Sequence, residues 1–208
     1  RHTGERLRNE GERPVVFFAS TFSRSVTAAP QLLSTIANLS QNDRWQFIVT
    51  LHPKMDPAIT DQYRALAGPN LRFVESHEDL LPILPEADVM LCDTSSIMFE
   101  FMFLDRPVVT LNTKMPGPYL IDVNSPDRVE QALETALGRP PELMSAARAL
   151  CDELHGFRDG TSSARVIDAV DEFLTGEKGE LRGKPLNILR KIKVRRRLKR
   201  ELRKSAEY

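Results

Sequence analysis

Four places in the sequence put reactive or phosphate-binding side chains beside a change in hydropathy pattern. His52 follows the apolar run Gln46–Leu51 and precedes Pro53 and Lys54. A histidine with an ordinary pKa of about 6.5 can exchange a proton or hydrogen-bond a phosphate at neutral pH. A lone loop histidine can equally be structural. Asp93-Thr94-Ser95-Ser96 separates the run Val89–Cys92 from an apolar helical segment at 97–102. The first N–H groups of a helix lack intrahelical partners and carry the positive end of its dipole. With those amides, Thr94, Ser95 and Ser96 are expected to seat a phosphate without a glycine-rich loop. The competing reading is an ordinary N-cap. Asp159-Gly160-Thr161-Ser162-Ser163 places a turn and three hydroxyls ahead of another amphipathic segment and allows the same two readings. Ser20, Thr21 and Arg24 follow the first apolar run and add hydroxyls and a guanidinium as possible donor contacts, with Asp159 and Gly160 in the same group. Two hydroxyl-rich helix starts suit a diphosphate better than one, provided that they converge.

Other chemistry loses support. No Walker A, GxGxxG, HExxH or CxxC pattern is present, which weighs against kinase, zinc-hydrolase and dinucleotide-oxidoreductase readings. No metal and no cofactor is expected. Cys92 and Cys151 lie far apart without metal-like spacing, and His2 and His77 suggest only surface or core roles.

The elements that must position these residues alternate. Short runs at 14–19, 46–51, 71–74, 89–92 and 107–111 are apolar, rich in Val, Ile or Phe, and bounded by turn residues. Continuous apolar character suits strands buried on both faces of a parallel sheet. Between them, Leu32, Leu33, Ile36 and Leu39 follow helical spacing, as do Val129, Ala132, Leu133, Ala136 and Leu137. Ser125-Pro126-Asp127 supplies the second of these with an N-cap and a proline at the first helical position. Helices are also expected at 57–67, 78–84, 142–154 and 161–174. Alternating β and α elements predict an α/β, Rossmann-like, doubly wound parallel sheet. In such sheets ligands bind outside the carboxyl ends of the strands, where the hydroxyl clusters and His52 fall.

The chain has 208 residues, 41% of them hydrophobic, enough for a real core. It opens on Arg1, so a processed chain or a piece of a longer one is expected. Its zero net charge hides a segregation. Residues 177–208 hold 13 Lys/Arg and 4 Asp/Glu, a net of +9, against −9 for residues 1–176. The break near Gly176 sets the expected domains, an acidic Rossmann-like body at 1–176 and a basic helical tail at 177–208. Within 185–204, Val194, Leu198 and Leu202 lie on one stripe, while Ile188, Leu189 and Ile192 fall on another side. An anionic membrane surface is the favoured partner for this segment. A solvated or intramolecularly docked tail is the alternative, and nucleic acid is disfavoured for want of aromatics and motifs. No run approaches the roughly 20 apolar residues that span a bilayer, and no signal-peptide core is present, so a cytoplasmic location is expected.

Taken in order, five short motifs resemble one family. They are Ala19-Ser20-Thr21-Phe22-Ser23-Arg24, then Leu51-His52-Pro53, then Asp88 through Asp93-Thr94-Ser95-Ser96 with Phe99-Glu100, then Asp105-Arg106-Pro107-Val108, then Asp159-Gly160-Thr161-Ser162-Ser163. Over residues 14–175 the chain is similar to the C-terminal half of the CDP-glycerol glycerophosphotransferases, the teichoic-acid polymerases and primases. The resemblance implies a GT-B architecture in which two Rossmann-like domains face each other and the C-terminal one binds a CDP-activated alcohol or another nucleotide-activated donor. His52 matches the family's His-Pro histidine, implicated in catalysis or in stabilising the leaving diphosphate. Ser95 and Ser96, with Ser162 and Ser163, match serines expected near the donor phosphates. Thr94 replaces the usual tyrosine, and Ser23 stands where the family pattern differs. The acceptor domain, with a further histidine, would lie N-terminal to this chain. Peripheral association with the inner face of the plasma membrane follows from the same resemblance. A UDP-sugar-processing enzyme such as a 2-epimerase, similar in fold, and a non-catalytic nucleotide-binding module are the alternatives.

Overall fold

The computed structural model describes residues 13–157, 159–176 and 187–205. His2 lies outside them. Six parallel strands form one sheet: β1 (Val15–Ser20), β2 (Gln46–Leu51), β3 (Leu71–Val74), β4 (Val89–Cys92), β5 (Val108–Leu111) and β6 (Ile121–Val123). Their spatial order is β3-β2-β1-β4-β5-β6. Helices α1 (Ala29–Ser40), α2 (Pro57–Ala65), α3 (Ile97–Met102), α4 (Val129–Leu137) and α5 (Pro141–Leu154) provide the crossovers and the flanks. This is the Rossmann-like doubly wound sheet that the alternating pattern predicts, and the order reverses between β1 and β4.

The sequence explains why both sheet faces are covered. Successive strand residues point to opposite faces. Val16 and Phe18 join a core with Leu32, Ile36 and Leu39 of α1, Tyr63 of α2, and Val129, Leu133 and Ala136 of α4. Val15, Phe17 and Ala19 join the other core, with Met98, Phe101 and Met102 of α3 and Cys151 of α5. Every residue of β1, β4 and β5 is buried. A fully buried Val, Leu or Phe contributes about 1.5–3 kcal/mol relative to exposure, so the two cores hold the strand edge that carries the site.

Two elements differ from the sequence expectation. Residues 78–84 make turns, followed by a 3-10 turn at Leu84–Glu86, because Pro82 and Pro85 remove the N–H donors that a helix needs there. β6 was not expected; its three residues are too few to show an alternation.

The chain divides into two compact units, one ending at Asp159 and one beginning at Gly160. The second contains α6 (Ser162–Leu174) and the basic helix α7 (Ile188–Ser205). Gly160 has φ +77°, the left-handed conformation that the Asp159-Gly160 turn requires. On α6, Val166, Ile167, Val170, Phe173 and Leu174 are exposed. On α7 the described side chains end at Arg197, so the expected positions of Leu198 and Leu202 lie outside them.

Candidate functional site

The carboxyl ends of β1, β2 and β4 adjoin, since Ser20 pairs with Leu51 and Ala19 with Cys92. This edge brings together Ser20, Thr21, His52, Thr94, Ser95 and Ser96. Thr161, Ser162 and Ser163 open α6 in the second unit, and Asp159 and Gly160 straddle the division.

At the centre of the edge sits Asp93, the first residue after β4. Its side chain is fully buried. The carboxylate accepts from the Ser20 hydroxyl at 2.5 Å, from the Thr21 N–H at 3.1 Å to each oxygen, and from the Ala28 N–H at 3.0 Å. The Ser20 oxygen in turn accepts from the Ala29 N–H at 3.2 Å and lies 3.0 Å from the Thr27 hydroxyl. Burial pushes the Asp93 carboxyl pKa up, and the bonds from Ser20, Ala28 and Thr21 pull against that shift. The N-cap residue Ala28 has no capping side chain, and the Ala29 N–H is shared between the Ser20 and Thr27 hydroxyls. Asp93 takes the Ala28 N–H from beyond β4, so an internal carboxylate occupies the dipole position where a helix start would take an anion. Ser20 is thus committed inside the edge, and Thr21 uses its amide there. Arg24 is exposed on the same loop.

His52 stands exposed at the end of β2. Its N–H donates to the Ser20 carbonyl at 3.2 Å, and its own carbonyl accepts from the Met55 N–H at 2.8 Å. The Lys54 N–H donates to Nδ1 at 3.0 Å. An accepting Nδ1 leaves the proton of the neutral ring on Nε2. The Phe22 ring lies 4.4 Å from the imidazole at 36°, and the Lys54 ammonium is 5.6 Å from the Phe22 centroid. The imidazole is therefore oriented from both sides, and its Nε2–H is the hydrogen-bond donor it can offer.

Beyond β4, Ser96 is the N-cap of α3 yet makes no side-chain capping bond, so capping does not account for its hydroxyl. Ser95 gives its N–H to the Asp93 carbonyl at 3.0 Å. Thr94 behaves differently. Its hydroxyl oxygen accepts from the Lys114 N–H at 2.9 Å and lies 3.5 Å from the Thr113 hydroxyl, tying the β5–β6 loop to the edge.

Sequence reasoning passed over Asp93 as a partner, and also Thr27, Phe22 and Lys114. An aspartate closing a fully apolar strand was the available signal for the first. For the others the contact exists only in three dimensions. Cys92, fully buried beside Asp93, has its thiol pKa raised by burial and is chemically quiet.

No curated protein matches the sequence. A histidine-to-asparagine variant of the wall teichoic acid polymerase TagF, soaked with CDPG, matches with a TM-score of 0.56 and 15% identity over 82% of this chain and 44% of that one. Staphylococcus aureus MnaA with UDP matches with a TM-score of 0.56 and 13% identity over 83% and 49%. Escherichia coli ADP-heptose LPS heptosyltransferase II matches with a TM-score of 0.50 and 16% identity over 66% and 50%. At these identities the likeness is one of fold, and the chain spans half or less of each of those structures. The shared fold is the Rossmann-like sheet of GT-B proteins. The model of the CDP-glycerol:poly(glycerophosphate) glycerophosphotransferases matches residues 4–172, most of the chain. On that match, the doubly wound sheet is that of a transferase domain, and the chain belongs to the CDP-glycerol:poly(glycerophosphate) glycerophosphotransferase family.

Proposed function

We propose that this chain is the donor-binding half of an enzyme that transfers a glycerophosphoryl group from a CDP-activated glycerol, or a closely related activated alcohol, to a cell-surface polymer. The observation that carries the reading is His52, held at the carboxyl edge of the sheet with its Nδ1 accepting from the Lys54 N–H. Membership in the family supports the donor class.

In the reaction, an acceptor hydroxyl attacks the phosphorus that bears glycerol, in line with the bridging oxygen to CMP. The new P–O bond forms as the bridging bond breaks, and CMP departs with the bonding pair. Positioning and charge neutralisation dominate such transfers. His52 Nε2–H donates to the diphosphate as negative charge moves onto the leaving group. Arg24, Ser95 and Ser96 contribute charge and hydrogen bonds to the same diphosphate. Thr94, through Lys114, holds the neighbouring loop. The proton of the acceptor hydroxyl leaves to a base on the acceptor side of the reaction.

In the complete enzyme, His52→Ala is expected to lower turnover by about 100- to 1,000-fold while leaving the melting temperature unchanged. Turnover within a few-fold of wild type would remove His52 from the mechanism. UDP-sugars are the competing donors. A thermal-shift panel on the 208-residue chain separates them. CDP-glycerol and CDP-ribitol are expected to raise the melting temperature above the effect of UDP-sugars, less so in the Ser95→Ala, Ser96→Ala double variant.

The basic helix α7 is proposed to hold the enzyme against an anionic leaflet on the cytoplasmic side. Arg190, Lys191, Lys193, Arg195, Arg196 and Arg197 are exposed along it, together with Ile188, Leu189, Ile192 and Val194. Among the described residues no helix is long and apolar enough to cross a membrane.

A further inference from the structure

We propose that Asp93 is a positioning residue for the transfer reaction: from across the reversal in strand order it fixes the β1–α1 loop, and through Phe22 that loop sets the orientation of the His52 ring. The inference rests on the reading of His52 given above and extends it to a residue with no reach to the substrate.

The geometry forms a chain of contacts. Residues 21–28 connect β1 to α1, and both ends of this loop converge on one carboxylate. Ser20 and Thr21 donate to Asp93 where the chain leaves the strand, and Ala28 donates to it where the helix begins. Thr27 and Ala29 complete the far end by bonding to Ser20. Between these pins the loop projects Phe22, whose ring is 41% exposed and rests against His52 at 4.4 Å. The His52 N–H also bonds to the Ser20 carbonyl, so His52 meets the clamped segment through its backbone and through its ring.

The chemistry of the clamp explains why a carboxylate serves. Three residues present O–H or N–H groups to one fully buried position; all three donate to Oδ2 and the Thr21 N–H also reaches Oδ1, a convergence of donors that suits a negatively charged acceptor. A buried carboxylate is costly unless it is hydrogen-bonded in this way. An asparagine removes the charge that strengthens all three bonds and sets an N–H₂ against the Thr21 N–H, loosening the loop where it leaves β1. Displacing a reacting group by about 1 Å can cost about 100-fold in rate, so a loosened Phe22 would be felt at His52 without any change in donor contacts.

The test reads the imidazole itself. Long-range proton–nitrogen spectra of the 208-residue chain report the tautomer of His52 and the ring-current shift that Phe22 imposes on its carbon-bound protons. Phe22→Leu, at an exposed site, gives the value without the ring. Asp93→Asn and Ser20→Ala are expected to move the His52 shifts most of the way to that value, with buried Trp45 fluorescence showing that the core is intact. A folded Asp93→Asn or Ser20→Ala protein whose His52 resonances match wild type overturns the proposal and leaves Asp93 a purely structural cap. Should Asp93→Asn not fold, Ser20→Ala decides alone. In the complete enzyme, Asp93→Asn is expected to lower kcat by about 10- to 100-fold with the donor KM little changed. A raised KM at unchanged kcat would also overturn it. Full turnover by His52→Ala would instead refute the role of His52, whatever the spectra of the Asp93 variant show.

Discussion

Two aspartates on this domain respond to pH in opposite directions. Asp105 has φ +57°, a left-handed conformation that Asp and Asn tolerate better than most residues. Its carboxylate takes a two-pronged bond from Arg148 at 2.7 and 2.8 Å and another from Arg139 at 2.9 Å. The Arg148 bond, then the charges of Arg148 and Arg139, hold its pKa below the ordinary carboxylate value of about 4. A lowered folded pKa means that the stabilisation is present above the unfolded value and is lost as pH falls through the folded one. Asp105→Asn keeps the backbone preference and removes the charge. Because the cluster is partly exposed and screened, it should cost only about 0.5–1 kcal/mol at pH 7. Thermal melts should show that difference shrinking below pH of about 4; a difference constant from pH 7 down to 2 would dissociate it from the ion pairs. Asp93 runs the other way. Burial raises its pKa, so the native state loses stability as pH rises from the unfolded value through the folded one.

At the scale of elements, the site depends on loops that the sheet holds from outside their own sequence. Helix α1 is capped by residues of β1 and by the residue after β4, and the β5–β6 loop is tied to Thr94 through the Lys114 amide. That loop contains a close approach. A Cβ added at Gly117 would lie 2.2 Å from the Tyr119 ring, which its hydroxyl bonds to the Met115 carbonyl at 2.8 Å. Gly117→Ala is therefore expected to destabilise the domain by about 1–3 kcal/mol in denaturant melts. Tyr119→Ala in the same chain should recover part of the loss, since it removes the colliding ring. Strictly additive effects of the two substitutions would show that the ring is not the obstacle.

For the whole molecule, the segregated charge is the feature with the widest consequence. An acidic body of net −9 precedes a segment of net +9. Each Lys or Arg near an anionic surface contributes about 1 kcal/mol at most, and salt screens it. The chain is expected to float with phosphatidylglycerol vesicles at low salt and not with neutral ones, and to release them at about 0.5 M salt. Arg195→Glu, Arg196→Glu and Arg197→Glu together should abolish flotation while leaving the CDP-glycerol thermal shift intact. Equal flotation with neutral vesicles would remove the electrostatic basis of the proposal.

Much of this architecture was legible from one dimension, because burial on both faces imposes an apolar run on every central strand and helices announce themselves by period. Five of the six strands, the helices α1, α2, α4, α5 and α6 and the placement of His52 and the Ser95-Ser96 pair at strand ends follow from such local signals. The helix expected at 78–84 failed because Pro82 and Pro85 outweigh a favourable apolar pattern. What local pattern could not carry was partnership. Asp93 meets Ser20 across 73 positions and Ala28 across 65. Phe22 and His52 face one another only because β1 and β2 lie side by side in the sheet. A sequence states which side chains are available at each strand end; the parallel order β2-β1-β4 decides which of them touch, because hydrogen bonds and ring contacts act over a few ångströms of space and not along the chain.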